Sequence, residues 1–231
     1  MSKRGACSRS QAEQWIRAGR VSVDGRIVRD PYHPTLIDQH RIVVDGHAVE
    51  SVESVYVAFN KPRGLVVSAA DEQGRDTVYT ALAAAGLPWV GPVGRLDKAS
   101  EGLLLLSNDT TWAAGITAPF THLDKTYHVQ VAGLPDAAVL AAMQTGINDA
   151  GDLLKARRAT LLRVGEKNAW LEVVLDEGRN RHIRRLLAAL GFNVLRLIRV
   201  AIGPLTLGEL AKSQWRRLSA DEVSALNTRS R

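Results

Sequence analysis

The sequence predicts an α+β fold with a mixed, largely antiparallel sheet, and three observations lead there. Strand-like and helix-like segments succeed one another along the 231 residues without a regular βαβ rhythm. The strongest β segments are short and bounded by Gly and Pro, while residues 180–190 carry a full helical stripe. The texture also changes near residues 51–54, which read as a polar linker between a small unit, 1–50, and a large one, 55–231. At roughly 150 residues per domain, the length fits one large domain and one small one.

In the small unit, Ser10-Gln-Ala-Glu13 has the spacing of a capping box, with Ser10 as the N-cap. Ala12, Trp15 and Ile16 give the helix that follows an apolar face, and Gly19 is placed to stop it. Val21 and Val23 then alternate with polar residues, and Asp24-Gly25 is a hairpin turn signal. The phrase Val23-Asp-Gly-Arg-Ile-Val28 returns as Val44-Asp-Gly-His-Ala-Val49. It marks a duplicated hairpin in one sheet, or a chance match, since Asp-Gly between valines is common.

In the large unit, Val55-Tyr-Val-Ala-Phe59 reads as a strand that Asn60-Lys-Pro-Arg-Gly64 breaks. Residues 77–85 are Ala-rich and helical. Gly102-Leu-Leu-Leu-Leu106 is a continuous apolar run, the pattern of a fully buried strand. Residues 126–131 alternate as a strand, 136–143 have helical composition, and 161–164 and 170–175 read as two strands with a turn between them. Along 180–190, Ile183, Leu186, Leu187 and Leu190 share one face, with Gly191 as terminator. Arg181 and Arg185 point away from that stripe, and Arg184 lies at its edge, where a side chain reaches a cleft beside the core. A strand over 194–200 and a helix over 219–226 complete the reading.

Hydrophobic residues make up 45% and charged residues 23%, which excludes a disordered or collagen-like chain. The net charge of +6 favours an acidic partner, most commonly nucleic acid, although a basic enzyme without such a partner has the same count. Cys7 is the sole cysteine, so neither an intramolecular disulfide nor a cysteine metal cluster can form, and a reducing cytoplasm is expected. No signal peptide is expected after Met1-Ser-Lys-Arg. The longest uncharged run, 77–94, is too broken by Gly and Pro to span a membrane.

Three segments could carry chemistry. Asp97 is a lone carboxylate between Arg95 and Lys98, just ahead of the apolar run; an isolated Arg-x-Asp more often marks an ion pair or a turn cap than a reactive group. Residues 176–199 hold six Arg and two acids, a spacing suited to phosphate contacts or simply to a solvated basic face. Tyr127 falls in the strand of Lys125-Thr-Tyr127-His-Val129, where a tyrosine usually packs in the core with a wet hydroxyl.

Together these segments resemble a family. Gly94-Arg-Leu-Asp97-x-x-Ser-x-Gly102-Leu-Leu-Leu-Leu-Ser-Asn-Asp109 resembles the catalytic motif of pseudouridine synthases. Lys125-x-Tyr127-x-Val129 resembles that family's tyrosine motif, and Glu177-Gly-Arg-Asn-Arg-His-Ile-Arg184-Arg its third motif, continued by Arg196-Leu-Ile-Arg-Val200 and Ile202-Gly-Pro-Leu205. Ser100 stands where the family usually has Thr, and His182 where many members have Gln. The combination is similar to the RsuA-type branch, which modifies ribosomal RNA and carries an N-terminal S4 RNA-binding domain. Ser8-Arg-Ser-Gln-Ala-Glu and Gly19-Arg-Val-Ser-Val-Asp-Gly25 resemble such a domain, although the family's helix ahead of Gly5-Ala-Cys-Ser-Arg9 has almost no room here.

The resemblance implies isomerisation of uridine to pseudouridine within an RNA chain, without metal or organic cofactor. It implies Asp97 as the catalytic carboxylate, by attack at C1′ or by abstraction of the 2′ proton, either of which needs the ionised form. It implies Arg184 as the partner of Asp97 and Tyr127 against the uracil ring, assisting removal of the C5 proton. The target base would be flipped out of its stack, with Arg95 filling the vacated space or holding a phosphate. Arg179, Arg181 and Arg185, and Arg9, Arg17 and Arg20 of the S4-like unit, are the expected RNA contacts. The expected partner is ribosomal RNA, not DNA or membrane, and the expected state a monomer. A synthase for transfer RNA, or a non-catalytic ribosome-assembly factor on the same fold, are the competing readings.

Overall fold

A computed structural model describes residues 1–36, 39–68, 74–118 and 123–227. After a single 3-10 turn at Ser2–Arg4, helix α1 spans Arg9–Arg17. Its N-cap is Ser8 rather than the expected Ser10: Ser8 has extended backbone, and its side chain accepts from the Gln11 N–H at 3.0 Å. Ser10 is already helical, and Glu13 pairs with Arg17 one turn on, 2.8 Å away, instead of closing a box. The helix ends as read, with the Gly19 N–H donating to Ile16 O and the Arg20 N–H to Trp15 O.

Strands β1 (Val21–Val23), β2 (Arg26–Val28), β3 (Ile42–Val44) and β4 (His47–Ala48) form one four-stranded sheet in the order β2-β1-β3-β4. The repeated phrase is therefore a duplicated hairpin. Asp24-Gly25 and Asp45-Gly46 both have positive φ at both positions, the type I′ geometry that matches strand twist.

The second sheet has nine strands. β5 is Tyr56–Lys61, starting one residue later and ending two residues later than expected, and is followed by α2 (Val78–Leu82), capped by Thr77. β6 (Gly91–Val93) leads through the Asp97 loop to β7 (Glu101–Ser107), buried at every residue. Helix α3 (Thr110–Thr117) was not legible: its Thr and Gly content is poor in helix propensity, and Asp109 caps it through the N–H groups of Thr111 and Trp112. β8 (Lys125–Ala132) precedes α4 (Ala137–Thr145), capped by Asp136. β9 (Ile147–Asp149) and β10 (Asp152–Leu154) form a separate hairpin. Then come β11 (Arg158–Val164), β12 (Asn168–Leu175), α5 (His182–Ala189), β13 (Val194–Ile202), β14 (Leu205–Thr206), β15 (Trp215–Arg217) and α6 (Ala220–Leu226). The main order is β11-β12-β8-β13-β7-β5-β15, with β6 on β7 and β14 on β13; only β13 with β7 is parallel. The fold class is the one read from the sequence. The strands missed, β6, β9, β10, β14 and β15, are two or three residues long and show no periodicity.

Helices cover one face of this sheet on both sides of its middle and the other face over β5 and β7. On one face, α4 and α5 bury Met143, Ile183, Leu186 and Leu187 against Val129, Leu171 and Leu197, while α2 buries Val78 and Leu82 against Phe59 and Leu104. On the other, Trp112 and Ile116 of α3 and Leu226 of α6 cover Leu103 and Leu105. Tyr127 touches both clusters of the first face, so it stands at the seam between them. Among the described residues no helix is long and apolar enough to cross a membrane.

Candidate active site

The seam opens into a cleft of about 330 Å³, lined among others by Arg95, Asp97, Lys125, Tyr127, Arg181, His182 and Arg199. Asp97 sits half-buried in the loop between β6 and β7, and the Ser100 N–H closes a turn on the Asp97 carbonyl at 2.9 Å. Leu96, 8% exposed, anchors the loop in the core beneath it.

Four donors fix the backbone of this loop. Lys98 O accepts from the Gly64 N–H at 2.8 Å, Ser100 O from Lys61 Nζ at 2.8 Å, Ala99 O from Arg184 Nη2 at 3.1 Å, and Arg95 O from Arg199 Nη1 at 3.5 Å. A carboxylate carried on an otherwise irregular loop is thereby pre-positioned, which is what a reaction at one atom requires.

Lys61 is wholly buried. Burial pushes its amine down to about 8, with Glu101 and then Asp97 pulling the other way. Arg184 is half-buried at the edge of α5, where the helical stripe puts it. Its guanidinium is lowered first by burial and then by Arg181, while Asp97 acts to raise it. It does not make the expected ion pair: its hydrogen bonds go to Ala99 O and Val194 O, and among the described residues none joins it to the Asp97 carboxylate. The helix axis aims the side chain at the backbone of the loop, one step short of the carboxyl group.

Helix α5 starts at His182, two residues later than expected, because Arg181 holds left-handed backbone at φ 51°. Arg181 remains exposed at the cleft rim, and Arg95, which also lines the cleft, is exposed too. Arg179 and Arg185 are engaged elsewhere. Arg185 donates to Asp149 Oδ2 at 2.6 Å and to Asp152 Oδ2 at 2.9 Å, and Arg179 to Asp152 and Glu177. The turn between β9 and β10 thus brings two acids onto the basic helix, a neutralisation that a local charge count does not contain. In the N-terminal unit, Arg17 pairs with Glu13 and Arg20 with Asp45, while Arg9 is exposed.

The arrangement has known counterparts. The model of the RNA pseudouridylate synthase family matches residues 55–189, more than half of the chain. The chain belongs to the RNA pseudouridylate synthase family. A model of the S4 domain matches residues 1–34. A relative from Aquifex aeolicus described as an uncharacterized RNA pseudouridine synthase is 36% identical, over 98% of this chain and 91% of that protein. Proteins named ribosomal large subunit pseudouridine synthase B from Bacillus subtilis and Escherichia coli are 34% and 36% identical, covering 96% and 98% of this chain and 91% and 80% of theirs. A crystal structure of a pseudouridylate synthase superimposes with a TM-score of 0.68 at 31% identity, over 97% of this chain and 96% of that one.

Within this synthase fold, sequence reasoning assigned no individual role to Lys61, Lys125 or Arg199, although Lys125 and Arg199 fall inside the family's motifs. Lys61 stood in a segment read only as a strand breaker. Arg199 had a usable signal: alternation along β13 places it on the same face as Leu197, the buried one.

Proposed function

We propose that this synthase isomerises a uridine of large-subunit ribosomal RNA to pseudouridine, with Asp97 as the catalytic carboxylate. The observation that carries the reading is the meeting of Asp97 and Tyr127 in one cleft, with the Asp97 loop fixed from four sides. The names of the Bacillus subtilis and Escherichia coli relatives support ribosomal RNA of the large subunit as substrate.

In the reaction the C1′–N1 bond breaks, the uracil turns, C5 bonds to C1′, the C5 proton leaves and N1 gains a proton. Atoms and charge balance without an external reagent. Asp97 acts at the ribose, at C1′ or on the 2′ proton. Tyr127, at the seam, lies against the ring and assists loss of the C5 proton. Arg184 positions the Asp97 turn through Ala99 O. The target nucleotide is flipped into the cleft at a cost of a few kcal/mol, repaid by the contacts it makes there.

Residues 1–50 serve as the S4-like RNA reader and 55–231 as the catalytic domain. Exposed Arg9, Arg181 and Arg95 supply phosphate contacts, and the basic balance of the chain supplies sequence-independent attraction. The protein acts as a monomer in the cytoplasm. Depletion of the protein followed by carbodiimide-stop mapping of ribosomal RNA tests the reading: one site disappears and returns with the wild-type protein. If every site survives depletion, the non-catalytic assembly factor takes its place.

A further inference from the structure

The floor of the cleft holds an arginine whose hydrogen bonding is incomplete. Arg199 is 5% exposed. Its Nε donates to Leu103 O at 2.7 Å and its Nη1 reaches Arg95 O at 3.5 Å, but its buried Nη2 has no partner among the described residues. No carboxylate pairs with it among those residues. A buried guanidinium nitrogen left without an acceptor is costly, and native structures rarely keep one without a use for it.

The backbone around Arg199 is built to hold this position. In the parallel pair of β7 and β13, Gly102 lies directly beside Arg199; a Cβ on Gly102 would sit 2.3 Å from Arg199 O. Only a residue without a side chain permits that approach. In the antiparallel pair of β8 and β13, Arg199 is the register partner of Tyr127, so both side chains rise from the same face of the sheet, within a cross-strand contact. Both line the cleft with Asp97.

We propose that Arg199 Nη2 donates a hydrogen bond to a carbonyl oxygen of the pyrimidine base held in the cleft, making Arg199 a base-contacting residue. The inference rests on the reading that the cleft receives a flipped uridine. A base carbonyl fits better than a phosphate for two reasons. Arg199 lies deep, beside the tyrosine that faces the ring, whereas the exposed cations Arg95 and Arg181 sit at the rim where a backbone phosphate would pass. A planar neutral carbonyl can also be desolvated at little cost, and a charge-assisted hydrogen bond to it is strong in a buried site.

The test uses the full chain carrying Asp97→Asn, so that binding is measured without turnover. Two RNA fragments are compared, one with the mapped target uridine and one with an abasic ribose at that position. Arg199→Met is expected to weaken binding of the uridine RNA about ten- to hundredfold more than binding of the abasic RNA. Arg199→Lys, which keeps the charge and a donor for Leu103 O, is expected to lose the same uridine-dependent part. Equal losses on the two RNAs would make Arg199 a purely structural residue and overturn the assignment. Should neither variant fold, the Asp97→Asn protein with otherwise wild-type sequence decides: RNA with 2-thio- or 4-thiouridine at the target is expected to bind at least severalfold more weakly than the uridine RNA for one of the two. Indifference to both overturns the assignment. A depletion experiment in which no pseudouridine disappears removes the functional reading and the assignment together; a site that disappears, with equal losses on the two RNAs, removes the assignment alone.

Discussion

Arg184 holds the Asp97 turn by its backbone: Nη2 lies 3.1 Å from the carbonyl oxygen of Ala99, two residues beyond the carboxylate. The arginine acts on where Asp97 stands rather than by pairing with its carboxyl group. Arg184→Lys keeps the charge but cannot reach both Ala99 O and Val194 O. Single-turnover kinetics of this variant should show a rate about ten- to hundredfold below wild type, with RNA affinity nearly unchanged, because small displacements of a reacting group cost that much. An unchanged rate would make this contact incidental.

Lys61 gives the same loop a pH signature. A lysine ordinarily loses its proton near pH 10.4, whereas the buried Lys61 loses it at about 8. Below 8 the folded protein bears the full cost of burying the charge. Between these values the unfolded chain holds a proton that the folded chain has released, so stability rises with pH. The rise should be on the order of 3 kcal/mol at most across the window. Denaturation midpoints measured from pH 7.5 to 10.5 should lack this rise in Lys61→Met relative to wild type. Parallel curves for the two proteins would show that Lys61 does not titrate there.

Two arginines of one helix region should separate cleanly. Arg181 is exposed at the rim, so Arg181→Ala should reduce the slope of RNA affinity against salt by about one phosphate contact while leaving stability alone. Arg185 is held by Asp149 and Asp152, so Arg185→Ala should leave Asp149 without its partner and Asp152 with Arg179 alone, and lower the melting temperature, with a smaller effect on the salt slope. Salt titrations and thermal melts of both variants check this, and a reversed pattern contradicts it.

Asn108 joins the polar connector to the catalytic sheet. Its Oδ1 accepts from the Val55 N–H at 2.7 Å and its Nδ2 donates to Glu53 O at 2.9 Å. The side chain is almost fully buried, and Gly5 of the N-terminal unit packs so closely that a Cβ there would lie 2.8 Å from Nδ2. Asn108→Ala should cost about 1–3 kcal/mol in urea denaturation, since it leaves the buried Val55 N–H unsatisfied and releases the part-buried Glu53 O. A loss under 0.5 kcal/mol would show that water replaces the amide there.

Much of this architecture was legible. The apolar run at Leu103–Leu106 has the pattern of a buried strand and forms one, the stripe on α5 put Arg184 at the edge of the buried helix face, and Asp-Gly pairs marked both hairpins. Asp97 and Tyr127 were found through motifs, and the cleft brings them together. What was missed depends on distant pairing. The acids that engage Arg179 and Arg185 arrive on a hairpin some thirty residues away, so the basic helix looked freer than it is. Lys61 and Arg199 are cations on buried positions, where hydropathy alone argues against any role; only the carbonyls they meet reveal one. The N-cap of α1 shifted by two residues because Ser8 and Ser10 are equally good caps by type, and backbone geometry chose between them.

The central claim is that Asp97 performs the chemistry in this cleft. The most direct measurement is site mapping of pseudouridine in ribosomal RNA from cells depleted of the protein and complemented with either wild type or Asp97→Asn, with the variant's fold verified by its melting curve. One site is expected to vanish on depletion, to return with wild type, and to stay absent with a fully folded Asp97→Asn protein. Restoration of that site by Asp97→Asn would contradict it.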